Sequence, residues 1–236
     1  LPSWTSTPSL QHLNTKFSER IVSSSTNLRF VYCGWLVKEK GLFELISAFA
    51  KYIHSGFNGQ LIIIGSGPIL SELKQFVLEL SITWSVHFLG QLNHSETINY
   101  LSDNADVFVL PSYNEGIPNS LIEAGSIGIP SIVTRAGCIP DYYSSGSVIY
   151  VKPRSISDLF SSFQQVTPLQ TRLKLSRLIF ADTVSNFSTH SVVTSLVNFI
   201  ADQWAFFFSL FCLLALFFRS HFISIFTPFH GSIFLL

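Results

Sequence analysis

Two glutamates, Glu115 and Glu123, stand eight residues apart in the stretch EGIPNSLIEAGSIGIP, residues 115–130. Glu115 opens a Gly/Pro loop, and Glu123 is expected in the first turn of the helix that follows. The N–H groups of a first helical turn lack intrahelical partners and carry the positive end of the helix dipole, so they favour an anion such as a diphosphate. A carboxylate beside such an anion can accept hydrogen bonds from the hydroxyls of a ribose or a sugar. A plainer account competes. Ser120-Leu121-Ile122-Glu123 has the spacing of a capping box, with Ser120 as cap and Glu123 reaching back to its N–H. With Asn119 as the cap instead, Glu123 is released. Glu115, taken alone, also suits a solvated loop.

Other candidate chemistry is weaker. Asp103-Asn104-Ala105-Asp106 is not an Asp-x-Asp pair, and Asp106 simply opens an apolar run, so no metal is implied. The seven histidines are isolated, and His87, on a strand, reads as a core or supporting residue. Ser66 and Ser126 have glycine neighbours but form no Gly-x-Ser-x-Gly elbow. The glycine turns form neither Gly-x-Gly-x-x-Gly nor a Walker loop, which excludes dinucleotide and ATP sites of those types. Cys33, Cys138 and Cys212 are odd in number, widely spaced and without a CxxC pair. A disulfide framework or zinc site is therefore not expected, Cys33 reads as a small buried hydrophobe, and the usage fits a reducing, cytoplasmic compartment. Lys plus Arg and Asp plus Glu are both 14, so net charge gives no electrostatic case for nucleic acid.

The elements that must position the glutamates alternate between two periods. Continuous apolar runs at residues 29–33, 60–64, 85–89, 106–110, 130–134 and 147–151 read as buried strands. Helical spacing marks residues 41–54, where Leu42, Leu45, Ile46, Phe49 and Ile53 share a face, then 69–80, 94–101 and from about 120 onward. Such alternation with short connections predicts an α/β fold: a Rossmann-like doubly wound parallel sheet, buried on both faces. Ligands of such sheets bind outside the carboxyl ends of the strands, where Gly34, Gly65, Gly67, Gly90 and the loop after Leu110 fall. Residues 155–200 read as helical, interrupted at Pro168, with a last helix over 186–200.

The ends differ in composition. Residues 1–27 are rich in Ser, Thr and Pro and suit a linker, so the domain is placed at 28–202 and a hydrophobic tail at 203–236. The tail holds ten of the 23 Phe, and residues 204–218 carry no charge over 15 positions, against about 17–25 for a spanning helix. A short membrane anchor, a buried helix and sequence foreign to the protein, such as an out-of-frame extension, all remain open. The chain has no Met and begins Leu-Pro-Ser-Trp, which we read as a piece of a longer protein.

The 115–130 stretch resembles the signature of the GT-B retaining glycosyltransferases of family four: Glu115-Gly116, Pro118, Glu123-Ala124 and Gly128-Ile129-Pro130 occur in that family's order. Further matches follow the same order. Gly34 with Lys40-Gly41 resembles the phosphate-binding segment after the first strand. Gly65-Ser66-Gly67-Pro68 resembles the turn after the second, Gly90-Gln91-Leu92 the loop near the nucleobase, and DVFVLPSY (residues 106–113) the lead into the glutamate loop. The resemblance covers about residues 29–200 and implies the C-terminal, donor-binding half of a GT-B enzyme. It implies a nucleotide-sugar donor as substrate and no cofactor, beside the expectations above of no metal and no nucleic-acid partner. The N-terminal acceptor-binding domain would be missing from this chain.

The resemblance also implies roles. Glu123 would bind the donor ribose, Glu115 the hydroxyls of the transferred sugar, and Lys40 the diphosphate. Backbone groups of Gly116, Ile117, Pro118 and Asn119 would hold phosphate or sugar, and those near Gly90 and Leu92 would meet the base. Lys40 and Glu115 are the expected catalytic pair. Such enzymes react on one face of the sugar with the leaving diphosphate assisting, so no separate base is expected. After Gly34 the family usually has Arg on the diphosphate, whereas this chain has Trp35. A charge-assisted hydrogen bond contributes about 1.5–3 kcal/mol, so donor binding is expected to be weaker by that order unless Lys38 substitutes. Packing is the alternative role for Trp35. Asp141 stands where the family commonly has Glu and is expected to be structural. GT-B epimerases and phosphorylases share the architecture, and a non-catalytic remnant or membrane-anchored binding module is the alternative to an enzyme. The expected location is cytoplasmic, at the inner face of a membrane if the tail anchors the chain.

Overall fold

Six short apolar runs form one parallel sheet in a computed structural model, which describes residues 27–188 together with Thr15, Phe17 and Glu19. The strands are β1 (Leu28–Cys33), β2 (Gly59–Ile64), β3 (Val86–Gly90), β4 (Val107–Leu110), β5 (Ser131–Thr134) and β6 (Ile149–Val151). They are connected by α1 (Leu42–His54), α2 (Leu70–Glu79), α3 (His94–Asn104), α4 (Asn119–Ile127) and the single turn α5 (Ile139–Tyr142), and are followed by α6 (Ile156–Val166) and α7 (Leu169–Phe187). The sheet order is β3-β2-β1-β4-β5-β6 with every neighbouring pair parallel. This is the expected doubly wound α/β layout.

Chain direction across the sheet reverses between β1 and β4, which pair through Phe30 with Val107 and Val31 with Phe108. Loops leaving two adjacent strands there diverge to opposite faces and open a crevice at the strands' carboxyl ends. At the other end of the same pair the strands are tied by charge. Asp106, 1% exposed, accepts from the Arg29 N–H at 2.9 Å and from Arg29 Nε at 3.3 Å.

β4 and β5 are buried along their whole length, as strands covered on both faces must be. Beneath β1, Phe30 meets Phe163 of α6 at 4.7 Å between ring centroids, Tyr52 at 5.5 Å and Phe49 at 5.9 Å. Aromatic pairs in such tilted and edge-to-face arrangements contribute about 0.5–1.5 kcal/mol beyond area burial, so this cluster fixes α1 and α6 against the strand that leads into the crevice.

Several expectations need correction. β3 is an edge strand and alternates buried with exposed residues, so His87 is exposed rather than a core residue. Asn186 closes α7 instead of opening a new helix, and its Nδ2 donates to the Tyr142 carbonyl at 2.7 Å; the remainder of the helix expected over 186–200 lies outside the described residues from 189 onward. Thr15, Phe17 and Glu19 are helical, and Phe17 is fully buried in the core, so part of the stretch expected as linker contributes to the domain. The tail at 203–236 lies outside the described residues. Among those described, no helix is long and apolar enough to cross a membrane.

Candidate functional site

The crevice between the ends of β1 and β4 is a cleft of about 430 Å³. β1 delivers Tyr32, Cys33 and Gly34 to it, the loop after β3 delivers Leu92, and α3 delivers His94 and Thr97. Lys40 enters from the short 3-10 turn Lys38–Lys40 that precedes α1. Glu115, Pro118, Asn119, Ser120 and Glu123 enter from the β4–α4 loop and α4. The two carboxylates that the spacing singled out and the lysine that the resemblance implied therefore face one hollow.

Two close backbone approaches set the places of the Lys40 turn and of the Glu115 loop. Gly41, at φ 68°, packs so tightly on β4's continuation that a Cβ there would lie 2.3 Å from the Pro111 carbonyl oxygen. Gly137, at φ 53°, leaves room for Glu115, whose carbonyl oxygen would be 1.5 Å from an added Cβ. The Tyr113 N–H then donates to the Glu39 carbonyl at 2.8 Å, and its hydroxyl donates to Glu44 Oε1 at 2.6 Å. The Arg154 guanidinium lies 4.5 Å above the Tyr113 ring centroid. Lys40 Nζ is thereby brought within 2.7 Å of Glu115 Oε1, with the Glu115 side chain only 8% exposed.

α4 begins with Pro118 as cap and makes no side-chain cap hydrogen bond. This overturns the expected capping box: neither Ser120 nor Asn119 caps the helix, and Glu123 lies in its second turn. The Pro118 carbonyl accepts from Leu121 and Ile122 N–H, while the N–H groups of Asn119 and Ser120 have no hydrogen-bond partner among the described residues. Glu123 meets α3 instead, its Oε1 3.2 Å from His94 Nδ1. Burial pushes the Glu123 carboxyl above the usual glutamate range, and the neighbouring His94 acts in the opposite direction.

Cys33 is half-buried at the cleft wall rather than in the core. Its thiol is pushed up to about 12, first by burial and then by the charge of Glu123, against a hydrogen bond with Thr97. It stays protonated near neutrality and is no nucleophile. Tyr32 is held above the usual phenol range, chiefly by burial and then by Glu115, and its hydroxyl donates to the Trp35 carbonyl at 3.0 Å.

Of the residues singled out in advance, Gly34, Lys40, Leu92, Glu115, Pro118, Asn119 and Glu123 line the cleft, whereas Trp35, Gly90, Gly116 and Ile117 do not. Trp35 is 56% exposed and so is not packed in the core, and Ile117 is 44% exposed. Gly90 instead joins two loops, its carbonyl accepting from the Gly65 N–H at 2.7 Å. Lys38 does not replace the missing arginine: its Nζ lies 3.9 Å from Glu72 Oε2 on an exposed surface. Asp141 is exposed. The cleft also holds His94 and Thr97, which no motif in the sequence marks as functional. The signal for their position is Asn93-x-x-Glu96, which forms a capping box at the start of α3 and sets His94 as its first residue. No group of three His, Cys, Asp or Glu placed to share a metal ion occurs among the described residues.

Around one hollow stand a lysine, two helix-start N–H groups with no partner among the described residues, and two carboxylates, which together offer donors to an anion and acceptors to hydroxyl groups. TuaC of Bacillus subtilis (strain 168), whose name assigns it to teichuronic acid biosynthesis, is 35% identical over 130 residues, covering 55% of this chain and 30% of that protein. The capsular polysaccharide biosynthesis glycosyltransferase CapM of Staphylococcus aureus is 33% identical over 127 residues, 51% of this chain and 31% of CapM. The chain thus spans about a third of the length of these curated relatives. Among solved structures, the C-terminal domain of the glycosyl transferase group 1 family protein LpcC from Francisella tularensis superposes with a TM-score of 0.64 at 18% identity, over 75% of this chain and 93% of that one. HepE of Anabaena, solved with UDP and glucose, gives 0.66 at 18% identity, over 84% of this chain and 53% of HepE. These likenesses show a shared fold. The model of the family described as glycosyl transferases group 1 matches residues 14–174, a span that includes both glutamates and Lys40, and the chain belongs to that family, with the Rossmann-like fold of its GT-B members.

Proposed function

We propose that this chain is the donor-binding half of a retaining glycosyltransferase that moves a sugar from a nucleoside diphosphate sugar to an acceptor. The observation that carries the reading is the convergence of Lys40, Glu115, Glu123 and the start of α4 on one cleft at the β1/β4 switch point. Lys40 and the Asn119 and Ser120 N–H groups meet the diphosphate. Glu123 accepts from the ribose and Glu115 from the transferred sugar, while the loop at Leu92 borders the base. Gly116 and Ile117 contribute through the conformation of the glutamate loop rather than by lining the cleft.

In the transfer, the bond between the anomeric carbon and the diphosphate oxygen breaks and a bond to the acceptor oxygen forms on the same face. The acceptor's proton passes to the departing phosphate oxygen. Negative charge grows on that diphosphate, and a fixed ammonium with oriented N–H dipoles stabilises it without reorganising. The ion pair with Glu115 keeps Lys40 aimed across the cleft before the donor arrives. Acceptor recognition is assigned to a separate N-terminal domain, in keeping with the greater length of the relatives. The 236-residue chain alone is expected to bind nucleotide and to turn over little or no substrate. A cytoplasmic location is part of the same reading and rests on the odd number and wide spacing of Cys33, Cys138 and Cys212 in the sequence.

Thermal unfolding in the presence of UDP, GDP and ADP tests it. A ligand at a hundred times its Kd stabilises the fold by about 2.7 kcal/mol, so at least one nucleotide should raise the Tm of the wild-type chain, and Lys40→Ala and Glu123→Ala should lose that rise. No rise with any of the three would overturn the proposal.

A further inference from the structure

His94 stands at the cleft with no role in the transfer as described. It is the first residue of α3, and its place is set by the reciprocal cap in which the Asn93 side chain accepts from the Glu96 N–H at 2.9 Å and Glu96 Oε2 accepts from the Asn93 N–H at 2.8 Å. That cap holds the imidazole over the cleft, with Nδ1 3.2 Å from Glu123 Oε1. The His94 side chain is 62% exposed and that of Glu123 11%, so the contact spans from the cleft mouth to its wall. The second carboxylate oxygen, Oε2, has no hydrogen-bond partner among the described residues.

The terminal torsion of a glutamate is broad and roughly two-fold, with no sharply preferred plane for its carboxylate. A carboxylate that must accept from a ribose hydroxyl in one orientation binds better when that plane is set in advance, because the ordering cost is removed from the binding step. We propose that His94 is a positioning residue for donor recognition: by holding Glu123 Oε1 it presents Oε2 to the ribose. The inference rests on the ribose-binding role proposed for Glu123, and it places a second determinant of ribose recognition outside the glutamate motif.

The test uses the full chain and the nucleotides UDP, GDP and ADP, each with its 2′-deoxy counterpart, titrated calorimetrically into wild type, His94→Ala, His94→Asn and Glu123→Ala. Wild type should prefer the ribonucleotide by about tenfold, the scale of one hydrogen bond to a charged group. His94→Ala should cut that preference toward the value for Glu123→Ala while changing affinity for the 2′-deoxy nucleotide less than threefold. His94→Asn, whose amide nitrogen can occupy the place of Nδ1, should restore part of the preference. If ribo- and deoxynucleotide affinities fall by the same factor in His94→Ala, or neither changes, His94 does not position Glu123 and the inference is overturned. A wild type that binds no nucleotide, or binds without ribose preference, would instead overturn the reading of the cleft or of Glu123, and the inference with it.

Discussion

Removing the cation from the Lys40–Glu115 pair should expose how far the cleft depends on it. Glu115 is 8% exposed, Lys40 is 25% exposed, and Nζ and Oε1 are 2.7 Å apart. A carboxylate so placed has little water to replace a lost ammonium. Hydrogen bonds to charged groups contribute about 1.5–3 kcal/mol, and Lys40→Ala is expected to destabilise the domain by roughly that amount. Glu115→Gln keeps the side chain's shape while removing its charge, and should cost about 1 kcal/mol. In the double variant the neutral amide no longer needs the cation, so its loss should fall short of the sum of the single losses by about 1–2 kcal/mol, within the range of coupling seen for contacting pairs. Urea denaturation of the four proteins, followed by circular dichroism, gives the cycle directly. Additivity within about 0.5 kcal/mol would refute the argument, since it would mean that solvent already screens the pair and that Lys40 is not held by Glu115.

Three further outcomes follow from the same geometry. Because burial raises the Glu123 carboxyl, the folded state holds that proton more tightly than the unfolded chain does. Its ionisation therefore opposes folding above the raised value, and the penalty is relieved as pH falls toward the ordinary glutamate range. Glu123→Gln should accordingly be more stable than wild type near neutral pH, with the advantage shrinking on acidification, as measured by Tm against pH; a variant less stable at every pH would contradict this. Gly137→Ala places a Cβ against the Glu115 carbonyl at φ 53°, so it should cost at least about 1–2 kcal/mol from the left-handed backbone alone and weaken nucleotide binding by displacing the loop, readable in one titration and one denaturation curve. Asp106→Ala should lower stability by roughly 1.5–3 kcal/mol yet leave nucleotide affinity unchanged, because Asp106 ties β1 to β4 at the end of the sheet away from the cleft.

The layout was legible because buried parallel strands are continuous apolar runs and the helices between them keep one apolar face. Residues 29–33, 60–64 and 106–110 are apolar for a reason that survives into the fold: β1, β2 and β4 lie inside the sheet. β3 has the same kind of run, but it is an edge strand, and strand position depends on contacts far apart in the chain, so the exposure of His87 is not legible in the run itself. The glutamate pair was legible by spacing, but the cap of α4 was not. Ser120 and Glu123 have capping-box spacing, yet Pro118 in extended conformation starts the helix earlier and releases Glu123 toward α3. Its partner His94 lies 29 positions away in the chain, and local pattern does not encode that meeting. Trp35 shows the same limit, since no spacing rule distinguishes a packed indole from one left 56% exposed beside the cleft.

The structure of the chain in complex with the nucleoside diphosphate that binds it most tightly tests the central claim most directly. The account predicts the diphosphate within hydrogen-bond distance of Lys40 Nζ and of the Asn119 or Ser120 N–H, with the ribose against Glu123. A nucleotide seated elsewhere, such as the hollow beside β6 bordered by Tyr150 and Lys174, with Lys40 still paired only to Glu115, would contradict it.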